Sequence, residues 1–529
     1  VQVHLVRALD SASEWSAASA DIVAGLLRSP DPFVRRAAAE ALGSHPSRAT
    51  LSGLLGALRE ADAADVQLVH ALRIAMRDHF RESDGRRAVS PADVARWHFL
   101  PGDRERLVDV LLAVPDAEAA WQAFLLSRSG GPLLERTLSG VARLGSDAQV
   151  AEAVTLTLTR DASGGDAAAA KRAFAAFFDG LGKAGKRLVP GTTLADEGGK
   201  LAAAVLAARG PRDAAETLVA LKVAEQLPAA VPAADVAAAL ADRSLPADVR
   251  AAAAATLPAV DAAAASPLLA AVALDATEPA PLREAVFRRL GATDAEPDRE
   301  ALCEAVTRAA PSLRQAAAWA LASRPAGAER LLGLVAAGKT DATVLQYGPV
   351  SERLRASNIA DLDARLADLT RDLVPADEAI RQRIERVAAA HGRGGASAEK
   401  GQELFRKVCV NCHKLGGEGA AVGPQLDGLG QRGGERLLED LLDPSRNVDE
   451  AFRTTVVTTK DGRALSGLRL RDEGGDLILA DSAGKELRVA AADIEERSLS
   501  RLSPMPANVA ELVGEENIPH LLAFLLEKR

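Results

Sequence analysis

Asp31-Pro32-Phe33-Val34-Arg35-Arg36-Ala37 is the stretch on which the fold turns. It reads as a helix start: an acidic cap, a proline in the first turn where its missing N–H costs nothing, and apolar residues at helical spacing. A related start stands at Asp65-Val66, and the shape returns at Asp248-Val249-Arg250, Pro281-Leu282-Arg283 and Pro311-Ser312-Leu313-Arg314. The anchors Val34 and Val66 are 32 residues apart, and Val249, Leu282 and Leu313 follow one another at 33 and 31. A period near 32 with helix–turn–helix content predicts a stacked α-solenoid, in which each helix pair buries its apolar face only against its neighbours. The expected fold is therefore mainly α. The solenoid spans residues 1–392 and is irregular in the middle, where Ser129-Gly130-Gly131-Pro132, Ser163-Gly164-Gly165 and Pro190-Gly191-Thr192 interrupt it. The repeated Asp/Arg pairs read as repeat packing, with aspartate capping a helix and arginine bonding the next turn.

Composition agrees with this. The chain has 529 residues, 48% of them hydrophobic, with abundant alanine and only 3% aromatics, which suits closely packed helices. A net charge of −9 and no long basic run exclude a nucleic-acid partner. No apolar run reaches transmembrane length, since the nearest, 251–274, is broken by Pro258, Asp261 and Pro267. Val1 opens the chain without a methionine inside a helical pattern, so it is read as a segment of a longer protein in which a missing leader says nothing of location. His70 and His79 lie nine apart, which is not metal-ligand spacing, and His98 stands beside Trp97. All three are read as packing or surface groups.

Residues 358–391 read as a helical hairpin whose second helix opens at Pro375, and Gly392-Arg393-Gly394-Gly395 as a break, with the linker at 393–397. Beyond it, Ser397 is the expected cap of a helix carrying Gly401, Leu404, Phe405 and Val408, which delivers Cys409-Val410-Asn411-Cys412-His413. Two of the three cysteines fall within these five residues, and C-x-x-C-H is the attachment pattern for one covalent c-type haem: two thioethers hold the porphyrin and the imidazole reaches the iron. Cys303 is unrelated. Arg453–Thr459, Ala464–Arg471, Leu477–Asp481 and Glu486–Ala490 read as strands, making a small β insert at about 453–500, with turns at Asp461-Gly462, Gly474-Gly475 and Gly484. A helix from about Glu515 closes the chain. Of only two methionines, Met76 sits in a helical pattern and reads as core. Met505, held between Pro504 and Pro506, reads as a stiffly placed thioether and the second axial ligand beside His413.

At these residues the segment 398–529 resembles class I cytochrome c: G-x-x-L-F before C-x-x-C-H, then G-P-x-L, a late methionine and a closing helix. More narrowly it is similar to a haem-binding domain family of planctomycete and verrucomicrobial type. The matching text includes G-E-G-A-A-V-G-P-Q-L at 417–426, L-L-E-D-L-L-D-P-S-R-N-V at 437–448 and S-P-M-P at 503–506. Members often carry HEAT-like repeats ahead of the haem domain, and the D-x-x-V-R starts are HEAT-like, although shorter than the roughly 40–47 residues of HEAT and armadillo units. The resemblance implies an exported, periplasmic electron-transfer module. It implies that the Pro424 carbonyl accepts a hydrogen bond from the His413 ring and that Phe405 packs near the closing helix. It also implies a dehydrogenase donor and a respiratory acceptor, with the array as docking scaffold. The chain lacks the dehydrogenase propeller of some members, so it reads as a carrier and not by itself an enzyme.

Other readings are weaker. Structural zinc needs four ligands, and no second C-x-x-C or H-x-x-x-H pair exists. A thioredoxin-like pair needs a βαβ setting. Haem catalysis or sensing requires an open iron, which follows only if Met505 does not ligate, and the remaining alternative is an interaction scaffold with an accessory haem. Arg432, Arg446 and Arg453 are candidates for the propionates, each set against ordinary surface charge.

Overall fold

The computed structural model describes residues 1–528 except 13, 82–87, 98, 101, 129–130, 159–165, 358, 461–463, 474–475, 482–483 and 485. His98, parts of the breaks at 129–132 and 163–165, and the turns at 461–462 and 474–475 thus lie outside the described residues. The protein is a HEAT-like helical array followed by a helical domain with one small sheet, with 26 α-helices among the described residues.

By its contacts the chain divides into two compact units, Val1–Asp235 and Val236–Arg529. In the first, helix Pro32–Ser44 stacks on Val66–Phe80, and Pro132–Leu144 on Ala167–Lys183. Asp31 Oδ1 accepts the Phe33 N–H at 2.8 Å and Asp65 Oδ1 that of Leu68 at 3.1 Å, so these caps form as the sequence predicts. Met76 is fully buried among Leu42, Leu72 and Phe80. His79 is buried too: its Nδ1 donates to the Ala75 carbonyl at 2.7 Å, its Nε2 lies 2.9 Å from Thr50 Oγ1, and burial lowers its pKa. It is a packed, neutral side chain.

In the second unit, helices Ala247–Val260, Ala280–Leu290 and Pro311–Leu321 stack in turn, beginning 33 and 31 residues apart. These do not take an aspartate cap. Pro246, Pro279 and Ala310 occupy the cap position, and Asp248 sits inside the first turn. The arginines also differ from expectation, because they reach back to the end of the preceding helix: Arg250 Nε donates to the Leu240 carbonyl at 2.7 Å and Arg283 Nε to that of Ala273 at 3.0 Å. They satisfy carbonyls that a helix end leaves unpaired, and thereby tie one helix to the next. Arg250 also meets Glu278 with two nitrogens, at 2.6 and 2.9 Å, in a pair whose side chains are only 4% and 5% exposed. The apolar run at 251–274 is two helices, each keeping its proline inside, with Asp261 capping the second.

The expected division at 393–397 falls within the second unit. Helix Ala376–Gly392 packs on Gly434–Leu442 and Ile518–Leu526, and its Val387 belongs to the same buried cluster as Phe405, Leu438 and Leu522. Apolar burial therefore assigns this helix to the C-terminal core.

That core is built around the crossing of Ala398–Val408 with Ile518–Leu526. Ser397 Oγ accepts the Lys400 N–H at 3.2 Å, and Phe405 and Phe524 lie 5.6 Å apart between ring centroids. Gly401 permits the crossing, since a Cβ there would stand 2.1 Å from the His520 carbonyl oxygen. Five antiparallel strands, β1 (Thr454–Thr459), β2 (Ala464–Glu473), β3 (Asp476–Ala480), β4 (Glu486–Ala490) and β5 (Ile494–Leu499), form a sheet in the order β4-β3-β2-β1-β5. Strand β5 was not expected, nor was the short helix Val509–Val513 between Met505 and the closing helix. One face of the sheet buries Val457, Leu477, Leu479 and Val489 together.

Candidate haem site

Cys409 caps the helix Ala398–Val408, and the chain then turns tightly: the Cys412 and His413 N–H groups both donate to the Cys409 carbonyl, at 3.1 and 2.9 Å. The loop that follows is laced back onto this turn. Ala420 N–H donates to the Val410 carbonyl at 2.9 Å, Gly423 N–H to that of Cys412 at 2.7 Å, and Leu426 N–H to that of Lys414 at 2.9 Å. His413 is held from two sides. Its Nδ1 donates to the Pro424 carbonyl at 2.9 Å, which leaves Nε2 as the nitrogen with a free lone pair. Gly423 packs closely against the ring, where a Cβ would come within 2.8 Å of Cε1.

These residues open onto a cavity of about 600 Å³, a size ordinary for a cofactor pocket. Cys409, Cys412, His413, Pro424 and Met505 all line it. Met505 comes late in the sequence of the domain, on a braced loop: its N–H donates to Ser503 Oγ at 3.1 Å, and the Ser503 N–H to Ser445 Oγ at 3.2 Å. The rest of the wall is largely apolar, including Phe405, Leu426, Leu437 and Leu525.

Both cysteine side chains are thiols here. Burial pushes the Cys409 pKa up to about 11, with the neighbouring Cys412 adding to the shift, and burial raises that of Cys412, with Asp481 adding to it. Of the three arginines considered for propionates, only Arg432 lines the cavity, paired with Asp440 at 2.7 Å. Arg446 is engaged by Asp443 at 2.7 Å and Glu439 at 3.2 Å, and Arg453 Nε donates to the Val448 carbonyl at 3.4 Å. Neither lines the cavity. Burial raises the Asp440 pKa, against the pull of Arg432 and Arg436.

The β insert contributes to this site. Phe452, Leu468 and Asp481 line the cavity, and Gly484, between β3 and β4 with φ +77°, sits against the attachment turn, where a Cβ would lie 2.2 Å from the Asn411 carbonyl oxygen. A lone glycine after Asp481 was the only available signal, and it read as a hairpin turn.

The residues fit a c-type haem. Two neutral thiols, an imidazole with its Nε2 free and a thioether line one cavity with an apolar wall. A cytochrome c family model matches residues 398–473, and a HEAT-repeat model matches residues 1–73. The chain thus carries a cytochrome c domain, whose presence implies a covalently bound c-type haem, behind HEAT repeats. The cytochrome match stops at the end of β2, before Met505 and the closing helix. No curated protein matches the chain. Among the described residues no helix is long and apolar enough to cross a membrane.

Proposed function

We propose that this protein is a one-electron carrier that holds a single haem through Cys409 and Cys412, with His413 and Met505 as axial ligands. The observation that carries the reading is that His413, fixed by Pro424, and Met505, braced through Ser503, line one cavity with both cysteines. A bound haem supplies ferric/ferrous chemistry, and two protein ligands favour electron transfer over oxygen chemistry. The chain's own contribution is to fix the ligating side chains and to line the cavity with apolar residues, Phe405, Leu437 and Leu525 from the helical core and Leu468 from the β insert. The donor is a dehydrogenase domain or subunit and the acceptor a respiratory carrier, with the HEAT array as the docking scaffold. Covalent haem attachment of this kind accords with an exported, periplasmic protein.

The test is a reduced-minus-oxidised absorption spectrum of protein made with haem-maturation machinery, repeated on Met505→Ala. Low-spin covalent haem with a weak methionine–iron band that vanishes in the variant is the expected result. Covalent haem with identical spectra in both proteins refutes the ligand set and turns the reading towards catalysis or sensing.

A further inference from the structure

We propose that helix Ala376–Gly392, at the end of the repeat region, is a positioning element for the Met505 loop and acts through ion pairs of Arg383 and Arg386. The proposal rests on Met505 being a ligand.

Four residues after Met505 begins the helix Val509–Val513, and a one-residue break separates it from the turn Glu515–Asn517. A helix of five residues has no stability of its own, because nucleation costs more than so few hydrogen bonds return. Its place is set by what grips it. Its apolar side, Val509, Ala510 and Val513, joins the buried cluster that Val387 also enters. Its polar side is held from helix Ala376–Gly392: Arg383 Nη2 lies 3.1 Å from Glu511 Oε1, Arg383 Nε 3.0 Å from Glu515 Oε2, and Arg386 Nη2 3.4 Å from Glu515 Oε1. One guanidinium thus bridges two carboxylates on consecutive turns of the segment that follows the methionine. Further along, His391 Nδ1 donates to the Pro519 carbonyl at 3.2 Å, so the same helix also fixes the start of the closing helix.

The Met505 loop is therefore tethered at both ends. Ser445 holds it on the near side through Ser503, and Arg383 and Arg386 hold it on the far side. The far tether lies outside the segment matched to cytochrome c, on a helix continuous in sequence with the repeats.

The experiment uses the full haem-loaded chain in three forms: wild type, Arg383→Ala/Arg386→Ala and Arg383→Lys/Arg386→Lys. Imidazole is titrated against the ferric protein, where it competes with Met505, and hydrogen exchange is followed over residues 503–513. The alanine pair is expected to bind imidazole roughly fivefold more tightly, the scale set by one or two partly exposed ion pairs, and to exchange faster over 503–513. The lysine pair is expected to return most of the way to wild type. A methionine–iron band in wild type with equal imidazole affinity in the alanine pair overturns the proposal alone. A lysine pair indistinguishable from the alanine pair overturns it as well, since charge pairing is then not the means. A wild type without that band, binding imidazole as Met505→Ala does, overturns both the proposal and the ligand reading beneath it.

Discussion

Replacing Gly423 by alanine tests how the imidazole is held. The added Cβ would lie 2.8 Å from Cε1 and 3.1 Å from Nδ1 of His413, closer than carbon atoms tolerate. The Gly423 backbone cannot retreat easily, because its N–H is tied to the Cys412 carbonyl at 2.7 Å. The ring must move, and its 2.9 Å bond to the Pro424 carbonyl lengthens or breaks. In the proposed ligation by His413, that bond would make Nε2 a stronger donor to iron, which favours the ferric state, so weakening it would raise the reduction potential. A neutral hydrogen bond contributes about 1 kcal/mol, and only its difference between the two oxidation states counts, so the rise is bounded at about 40 mV. The assay is a spectroelectrochemical titration of Gly423→Ala, with covalent haem verified by mass. A potential that is unchanged or lower, with haem still attached, refutes the claim that Pro424 tunes the ligand.

Three further expectations concern thiols and packing. In haem-free protein carrying Cys303→Ser, alkylation of Cys409 is slow near neutral pH and accelerates steadily towards pH 10, because with a pKa of about 11 only about one thiol in a thousand is ionised at pH 8. Rapid labelling at pH 7, quantified by mass spectrometry, contradicts the buried site. Arg250→Ala leaves Glu278 buried with only Arg243, 3.1 Å away, and is expected to cost about 2–4 kcal/mol in urea unfolding followed by circular dichroism. The Arg250 hydrogen bonds hold the Glu278 carboxyl below its ordinary 4.5, so the pair's contribution is complete above that pH and is lost as acid carries it through the lower folded value. The gap between wild type and variant should stay constant above pH 4.5 and narrow below it, down to the part owed to the Arg250–Leu240 hydrogen bond, which does not titrate. Gly401→Ala forces the two crossing helices apart at His520 and Phe524, with an expected loss of about 1–3 kcal/mol in the same measurement. An unaltered unfolding curve argues against so close a crossing.

What was legible beforehand follows from how local each signal is. The attachment turn needs only five consecutive residues, and the repeat starts need only a period, so both stand out in a single sequence. Met505 was visible because methionine is so scarce here and because flanking prolines are a poor setting for core filler. Strand β5 was not visible: Ile494-Glu495-Glu496-Arg497-Ser498-Leu499 has almost no apolar alternation, since it is an exposed edge strand held by pairing to β1. The repeat arginines were seen, but their acceptors are carbonyls ten residues earlier on another helix, so the sequence suggested a bond within the local turn.

The helix Ala376–Gly392 is the most instructive case, because its charges read as a solvated face and its glycine-rich end as a domain border. Both readings follow from local pattern. Arg381, paired with Glu378 and Glu385 on its own helix, has the spacing such a face requires. Arg383 and Arg386 stand on the same helix, yet their partners are about 130 residues away and no spacing rule connects them. A surface charge and an interhelical tether cannot be told apart by sequence distance, only by what the fold brings opposite them. Here the fold brings the segment after the methionine. The boundary between array and haem domain therefore cannot be read from the glycines at 392–395 alone, because the helix before them packs into the core that follows and its two arginines hold the segment after Met505.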